Sequence, residues 1–170
     1  MINVLIKKKK FKKATKNLEQ VWKRNKNNIQ IGLQLATLYR VRYKIPEAFG
    51  IYEILLKKNP KEKSVYNEML KYYTAVGDQE NKRKVLEQME KVFPEDEKII
   101  LDKIKTYVKE GKDSLAIYNY QLYLKKHKND LSVYILLSDL FKKQHNYGKG
   151  IEVLLNGNKM GLESEEYFLK

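Results

Sequence analysis

Apolar residues recur along most of the chain at steps of three and four, which is the spacing of one face of an α-helix. Between Ile31 and Leu56 they form two such blocks, with a polar break at Tyr43 and Lys44. Blocks of the same kind follow one another to the end of the sequence. The pattern predicts short amphipathic helices that are joined by tight turns.

The helical pattern repeats every 34 residues without an insertion. One column of this repeat holds an aromatic residue in each full unit: Tyr39, Tyr73, Tyr107 and Phe141. Gly77 and Gly111 are also 34 residues apart and fall at the bend between helices, where glycine commonly ends a helix. Pro60 and Pro94 have the same spacing and break the chain before the next unit. A period of this length indicates a helical-repeat protein.

Each unit contains two helices. First helices are predicted near 30–42, 64–76, 98–110 and 132–144, and second helices near 11–25, 46–58, 79–92, 113–126 and 147–158. We expect a single domain over 1–170. It comprises a partial repeat at 1–28, full repeats at 29–62, 63–96, 97–130 and 131–164, and the start of a further helix at 165–170.

These features resemble the tetratricopeptide repeat (TPR) family. The resemblance rests on the 34-residue unit, the aromatic column, the closing prolines and small residues in both helices: Ala14, Ala36, Ala48, Ala116, Ser138 and Gly150. It implies an all-α fold, a right-handed α-solenoid of antiparallel helix pairs with four full repeats and a partial N-terminal one. It implies little about function, because the shared residues pack helix on helix in every member.

Three features depart from the family pattern. The family's tryptophan is missing from the first helices, and Trp22 lies in a second helix, where we interpret it as a packing residue. Lys82 stands where a small residue is expected, so its stem must lie along the surface or remain partly exposed. The last full repeat contains several glycines, and each glycine inside a helix costs about 1 kcal/mol relative to alanine. We expect its second helix to fray.

Little in the sequence supports catalysis. The chain has no cysteine and two histidines, and His127 and His145 fall at opposite ends of a helix pair. We predict a non-enzyme without catalytic residues, a metal site or a cofactor. No stretch reaches the length of a membrane span, and a cytoplasmic protein is the default expectation.

The first helices of a repeat array line an extended groove. In the first full repeat Gln30, Leu33, Thr37, Arg40 and Val41 share one face of the helix at 100° per residue. Carrying this face through the register selects these candidate partner-binding residues: Thr37, Arg40, Asn67, Lys71, Lys98, Lys105, Lys109, Asp139, Lys142 and Lys143. Seven cations against the single anion Asp139 predict a basic groove. The alternative is that lysine is common throughout a chain whose net charge is +14.

The leading functional hypothesis is a protein-interaction scaffold whose groove binds an acidic or extended segment of a partner. RNA binding is the second hypothesis, because the basic charge permits phosphate contacts. The lysine-rich run from Lys7 to Lys13 is either a solvated or frayed helix start or a patch that binds phosphate or an acidic partner. A third hypothesis is a structural segment of a larger TPR array.

The two ends of the sequence do not resemble capping elements. Residues 1–6 correspond to the later part of a first helix, and residues 165–170 to the start of another. We expect Tyr167, Phe168 and Leu169 either to fold back on the last helix pair or to meet another copy of the chain. Self-association through uncapped ends is therefore a further hypothesis, as is a fragment of a longer protein.

Overall fold

A computed structural model of the protein describes residues 11–159. Within that range the chain forms nine α-helices joined by turns, and no strand. They are α1 (Phe11–Arg24), α2 (Ile29–Val41), α3 (Ile45–Lys58), α4 (Lys63–Val76), α5 (Gln79–Val92), α6 (Glu97–Lys109), α7 (Asp113–Lys126), α8 (Leu131–Lys143) and α9 (Tyr147–Lys159). Every predicted helix is confirmed, with each end within one residue of its predicted position. The even-numbered helices are first helices of the repeats, and the odd-numbered helices are second helices.

The chain divides into two compact units, the first ending at Asp96 and the second beginning at Glu97. Unit 1 contains α1 to α5 and unit 2 contains α6 to α9. Within each unit every helix packs against the next helix in the sequence. The expectation of a single domain over 1–170 and the right-handed course of the superhelix stay predictions.

Local residue chemistry explains where the helices begin. The side chain of Asn28 accepts a hydrogen bond of 3.0 Å from the amide three residues later, at the start of α2. Asp78 caps α5 in the same way at 2.9 Å, and such caps satisfy amides that have no partner inside the helix. Pro46 lies in the first turn of α3, where its missing amide hydrogen costs nothing. The prolines Pro60 and Pro94 lie in the turns between repeats, as predicted.

The bends inside the four full repeats share one backbone conformation. Gly77 and Gly111 have φ angles of 74° and 73°, and Tyr43 and His145, in the same column, both have φ of 58°. This left-handed region costs a non-glycine residue about 1–2 kcal/mol. Two of the four bends therefore contain a strained residue where the repeat favours glycine.

We expect Tyr43→Gly to raise the free energy of unfolding by about 1 kcal/mol, because it removes this strain. Tyr43 is the cleaner of the two positions, since its side chain is 91% exposed and packs little. Urea denaturation followed by circular dichroism measures the change. Gly77→Ala is the matched control and should be destabilising by a similar amount; a Tyr43→Gly variant less stable than the parent would contradict the argument.

The core of unit 1 is built from the predicted apolar columns. Leu18, Tyr52 and Leu86 occupy one column and are almost completely buried. Trp22 is 6% exposed and packs against α2 at Gly32. The interpretation of Trp22 as a packing residue is confirmed.

The core of unit 2 is one cluster to which all four of its helices contribute. Its most buried large side chains are Tyr120 on α7 and Leu137 on α8, with Ile104 from α6. Val153 of α9 packs against the same cluster. Residues from α6 and α8 therefore share a core. This shared core fixes the position of the two first helices of unit 2 relative to each other.

Two glycines of α9 have a packing role, which the TPR resemblance implied for Gly150 and which the sequence reasoning missed for Gly157. A Cβ atom at Gly157 would lie 3.0 Å from Cγ of Tyr134, and one at Gly150 would lie 3.3 Å from Oγ of Ser138. These glycines allow α9 to approach α8 closely. α9 is helical over Tyr147–Lys159, and fraying of this helix stays a prediction.

Candidate binding surfaces on the first helices

The first helices of unit 1 form one side of an open cavity of about 390 Å³. From α2 and α4 the lining residues are Gln30, Leu33, Gln34, Thr37, Leu38, Val41, Ser64, Asn67, Glu68 and Lys71. The predicted site residues Thr37, Asn67 and Lys71 are thus brought together on one surface. Phe11 of α1 contributes an apolar edge.

Arg40, the other candidate in unit 1, is not a free cation. Its Nη1 atom lies 3.2 Å from Oε2 of Glu68 and donates a hydrogen bond of 3.3 Å to the hydroxyl of Tyr52. Lys71 binds the other oxygen of the same carboxylate at 2.7 Å. Glu68 therefore pairs with both cations of this surface and offsets one of their two positive charges. Burial raises the pKa of Tyr52 beside it.

In unit 1 the surface has an anion that the predicted set of groove residues leaves out. Glu68 lies beside the face that the helical angles selected, but its side chain reaches onto that face between Arg40 and Lys71. The spacing of three residues between Glu68 and Lys71 is a signal that could have indicated the ion pair. The surface of unit 1 is consequently polar and apolar with little net charge.

The first helices of unit 2 differ in charge. Lys98, Lys105 and Lys109 of α6 are exposed and lie within about 40° of one another around the helix. Lys142 of α8 is also exposed, and within residues 11–159 none of these four lysines has a carboxylate partner. Asp102, half-buried, lies beside this face of α6, in the same column as Glu68.

The remaining candidates on α8 are of two kinds. Lys143 is bound by Asp113 at the start of α7, with Nζ 2.7 Å from Oδ2. Asp139 is exposed and is the carboxylate on this face of α8. In unit 2 this surface therefore has four lysines without an ion-pair partner in the described chain, against Asp139 on the face and Asp102 beside it, which leaves a net positive charge.

The two histidines lie in different turns and have different neighbours. His127 stacks on Tyr123 with ring centroids 4.2 Å apart, and its Nδ1 lies 3.2 Å from Oε1 of Glu97. The hydroxyl of Tyr123 donates to Asp130 at 3.0 Å, and burial together with these carboxylates raises the pKa of Tyr123 far above its usual range. This cluster ties the end of α7 to the start of α6. His145 is exposed in a different turn.

The described part of the chain contains no group of three or more histidine, cysteine, aspartate or glutamate residues that could hold a metal ion. None of its helices combines the length and the apolar character that crossing a membrane requires.

Several predicted features lie outside the described residues. They are the lysines of 7–10 and the terminal residues Tyr167, Phe168 and Leu169. Lys12 and Lys13, at the end of the basic run, are exposed on α1.

No family model and no curated protein matches the sequence. Solved structures do match it. A crystal structure of the MamA protein superposes with a TM-score of 0.61 at 12% identity, covering 100% of this chain and 93% of that one. MamA 41-end from Desulfovibrio magneticus RS-1 gives a TM-score of 0.57 at 12% identity, covering 96% and 93%.

A tetratricopeptide repeat protein from Parabacteroides merdae ATCC 43184 also matches, with a TM-score of 0.52 at 16% identity. The match covers 96% of this chain and 63% of that one. Sequence identities this low support similarity of fold and nothing further. The chain has the all-α helical-repeat fold of tetratricopeptide repeat proteins.

Proposed function

We propose that the chain is a non-enzymatic protein-interaction scaffold that binds an acidic, extended segment of a partner protein. The binding surface is the lysine-bearing face of α6 and α8 in unit 2. The TPR-like fold supports this class of function, since such folds present their first helices as binding surfaces. The proposal requires no cofactor.

One observation supports an acidic partner. Lys98, Lys105, Lys109 and Lys142 are exposed, and the described residues supply no carboxylate within ion-pair distance of them. Elsewhere on the first helices the cations are paired, Arg40 and Lys71 with Glu68, and Lys143 with Asp113. Uncompensated lysines on one face attract a segment of opposite charge and suppress binding of basic ones.

The chemistry of these lysines favours a protein segment over RNA. Each lysine is a point charge without the planar fork with which arginine binds phosphate bidentately and stacks on bases. The candidate face of unit 2 contains no arginine. An acidic peptide needs only charge and a matching spacing.

The test is the affinity of a synthetic aspartate-rich peptide, measured by fluorescence anisotropy, for the parent chain and for a fourfold variant. The variant is Lys98→Ser, Lys105→Thr, Lys109→Ala and Lys142→Thr, with residues taken from the same columns of other repeats. Four exposed ion pairs of about 0.4 kcal/mol each give an expected loss of about tenfold. An asparagine version of the peptide should bind neither protein.

The matched control removes the same charge elsewhere. Lys13, Lys16, Lys23 and Lys57 are exposed on second helices of unit 1, and their replacement by serine should leave the affinity within about twofold if the contact is local. Equal losses of affinity in the two variants would show that the effect depends only on net charge, and would refute the proposed binding surface. If mixed-sequence RNA bound the parent more tightly than the aspartate-rich peptide does, and only the fourfold lysine variant lost that binding, the face would be assigned to RNA instead.

A further inference from the structure

Helix α7 exposes apolar side chains on the side that faces away from the core. Leu115, Tyr118 and Leu122 are 48%, 62% and 48% exposed. Their spacing of three and four residues places them within about 60° of one another around the helix. We refer to these three residues as the α7 stripe.

The packing of unit 2 does not require the α7 stripe. The core side of α7 is formed by Ala116, Tyr120, Tyr123 and Leu124, on the opposite side of the helix. A helix that is apolar around most of its circumference is normally covered on more than one side. Within the described residues α7 is covered on its core side, and the stripe is left exposed.

The other second helices show that the repeat does not need apolar residues here. In α1, α5 and α9 the three corresponding positions hold only charged or amide side chains. In α3 they hold Glu47, Gly50 and Ile54. The α7 stripe is therefore a property of this one helix and not of the fold.

The shape of the α7 stripe fits a helix. Its spacing of three and then four residues is that of the a and d positions in a heptad, which form the narrow seam of a coiled coil. A membrane-surface helix presents a broader apolar face. The core of unit 2 already occupies the remaining apolar side of α7.

The charges beside the stripe select an acidic partner. Lys125, Lys126 and Lys128 are exposed beyond its C-terminal end, and no carboxylate of the described chain pairs with them. Asp113, at the other end of α7, is already bound to Lys143. A second copy of this chain is disfavoured, since both copies would carry a net charge of +14 and would repel each other.

We propose that the α7 stripe is a docking surface for an acidic amphipathic helix of a partner protein. The apolar seam of that helix packs on Leu115, Tyr118 and Leu122, and its acidic side chains lie near the lysines beyond the stripe. This surface is on a second helix and does not depend on the proposed function of the first helices.

The probe is a synthetic peptide of about three heptads with leucine at a and d and glutamate at e and g, a design in which the glutamates oppose self-pairing. Its binding to the full chain is measured by fluorescence anisotropy and located by amide chemical-shift changes. The stripe variant is Leu115→Asn, Tyr118→Lys and Leu122→Gln, which copies the corresponding residues of α5. We expect shift changes on α7 and an affinity loss of at least about tenfold in the variant.

Controls separate this surface from the first helices. A peptide with serine at a and d and the same glutamates should bind the stripe variant at least as tightly as the parent, since only charge remains and Tyr118→Lys adds one positive charge. The fourfold lysine variant of α6 and α8 should keep its affinity for the leucine peptide. Loss of that affinity with the stripe intact would place the helix on the first-helix face and overturn the proposal.

Three other results would also overturn it. One is equal binding of a peptide with lysine at e and g, which would remove the acidic requirement. Another is concentration-dependent sedimentation of the parent that the stripe variant abolishes, which would make a second copy the occupant. The third is stripe-dependent binding to phosphatidylserine vesicles without binding to the leucine peptide.

Discussion

Replacing Tyr120 by alanine should lower the free energy of unfolding of unit 2 by about 3–5 kcal/mol, the range for truncating a buried aromatic residue. Tyr120 is 1% exposed and is among the largest fully buried side chains of the described chain. Burial raises the pKa of its hydroxyl to about 12. The substitution leaves a cavity at the centre of the cluster that all four helices share.

Urea denaturation with circular dichroism measures the loss, and hydrogen exchange assigns it to α6 to α9. Tyr118→Ala is the matched control, because it removes the same side chain two residues earlier on α7 from an exposed position. That variant should change stability by less than about 0.5 kcal/mol. Similar losses in the two variants would show that Tyr120 is not at the centre of the core.

The fold was predictable because the sequence features that define helices and turns recur in several repeats. The aromatic column at Tyr39, Tyr73 and Tyr107 keeps one phase through the chain. Periodicity, capping residues and turn residues indicate the same helix ends at each repetition. The predicted ends consequently differ from the observed ones by at most one residue.

The charge of the first-helix surface was only partly predictable. Helical angles assign each residue to a face by the direction of its Cα–Cβ bond, and a long side chain can reach a neighbouring face. Glu68 does so when it binds Arg40 and Lys71. The binding role of all ten candidate residues stays a proposal.

The exposure of the α7 stripe could not be predicted, for a different reason. Leu115, Tyr118 and Leu122 are residue types that are common in protein cores, and α7 is apolar around most of its circumference. Periodicity alone cannot separate the buried side of such a helix from an exposed apolar side. Comparison with the same columns of the other second helices does separate them, because the core columns repeat and the stripe does not.

Gly32 and Gly50 should respond in opposite directions to the same substitution. Both lie in helices, where alanine is favoured over glycine by about 1 kcal/mol. A Cβ atom at Gly50 would meet nothing within 4 Å, whereas one at Gly32 would lie 2.9 Å from Cζ3 of Trp22 and 3.0 Å from Cδ1 of Leu55. Leu55 can change its rotamer, but the buried indole is rigid and has little room to move.

We expect Gly50→Ala to stabilise the chain by about 0.5–1 kcal/mol and Gly32→Ala to destabilise it by about 1–3 kcal/mol through overpacking. Urea denaturation measures both changes. Trp22 is the single tryptophan, so its fluorescence also reports whether the indole moves in the Gly32 variant and stays in place in the Gly50 variant. In a Trp22→Leu background, Gly32→Ala should lose most of its cost, because the ring that the methyl group meets is gone. A cost that persists in that background would assign the strain to the backbone of α2 and refute the contact with Trp22 as its cause.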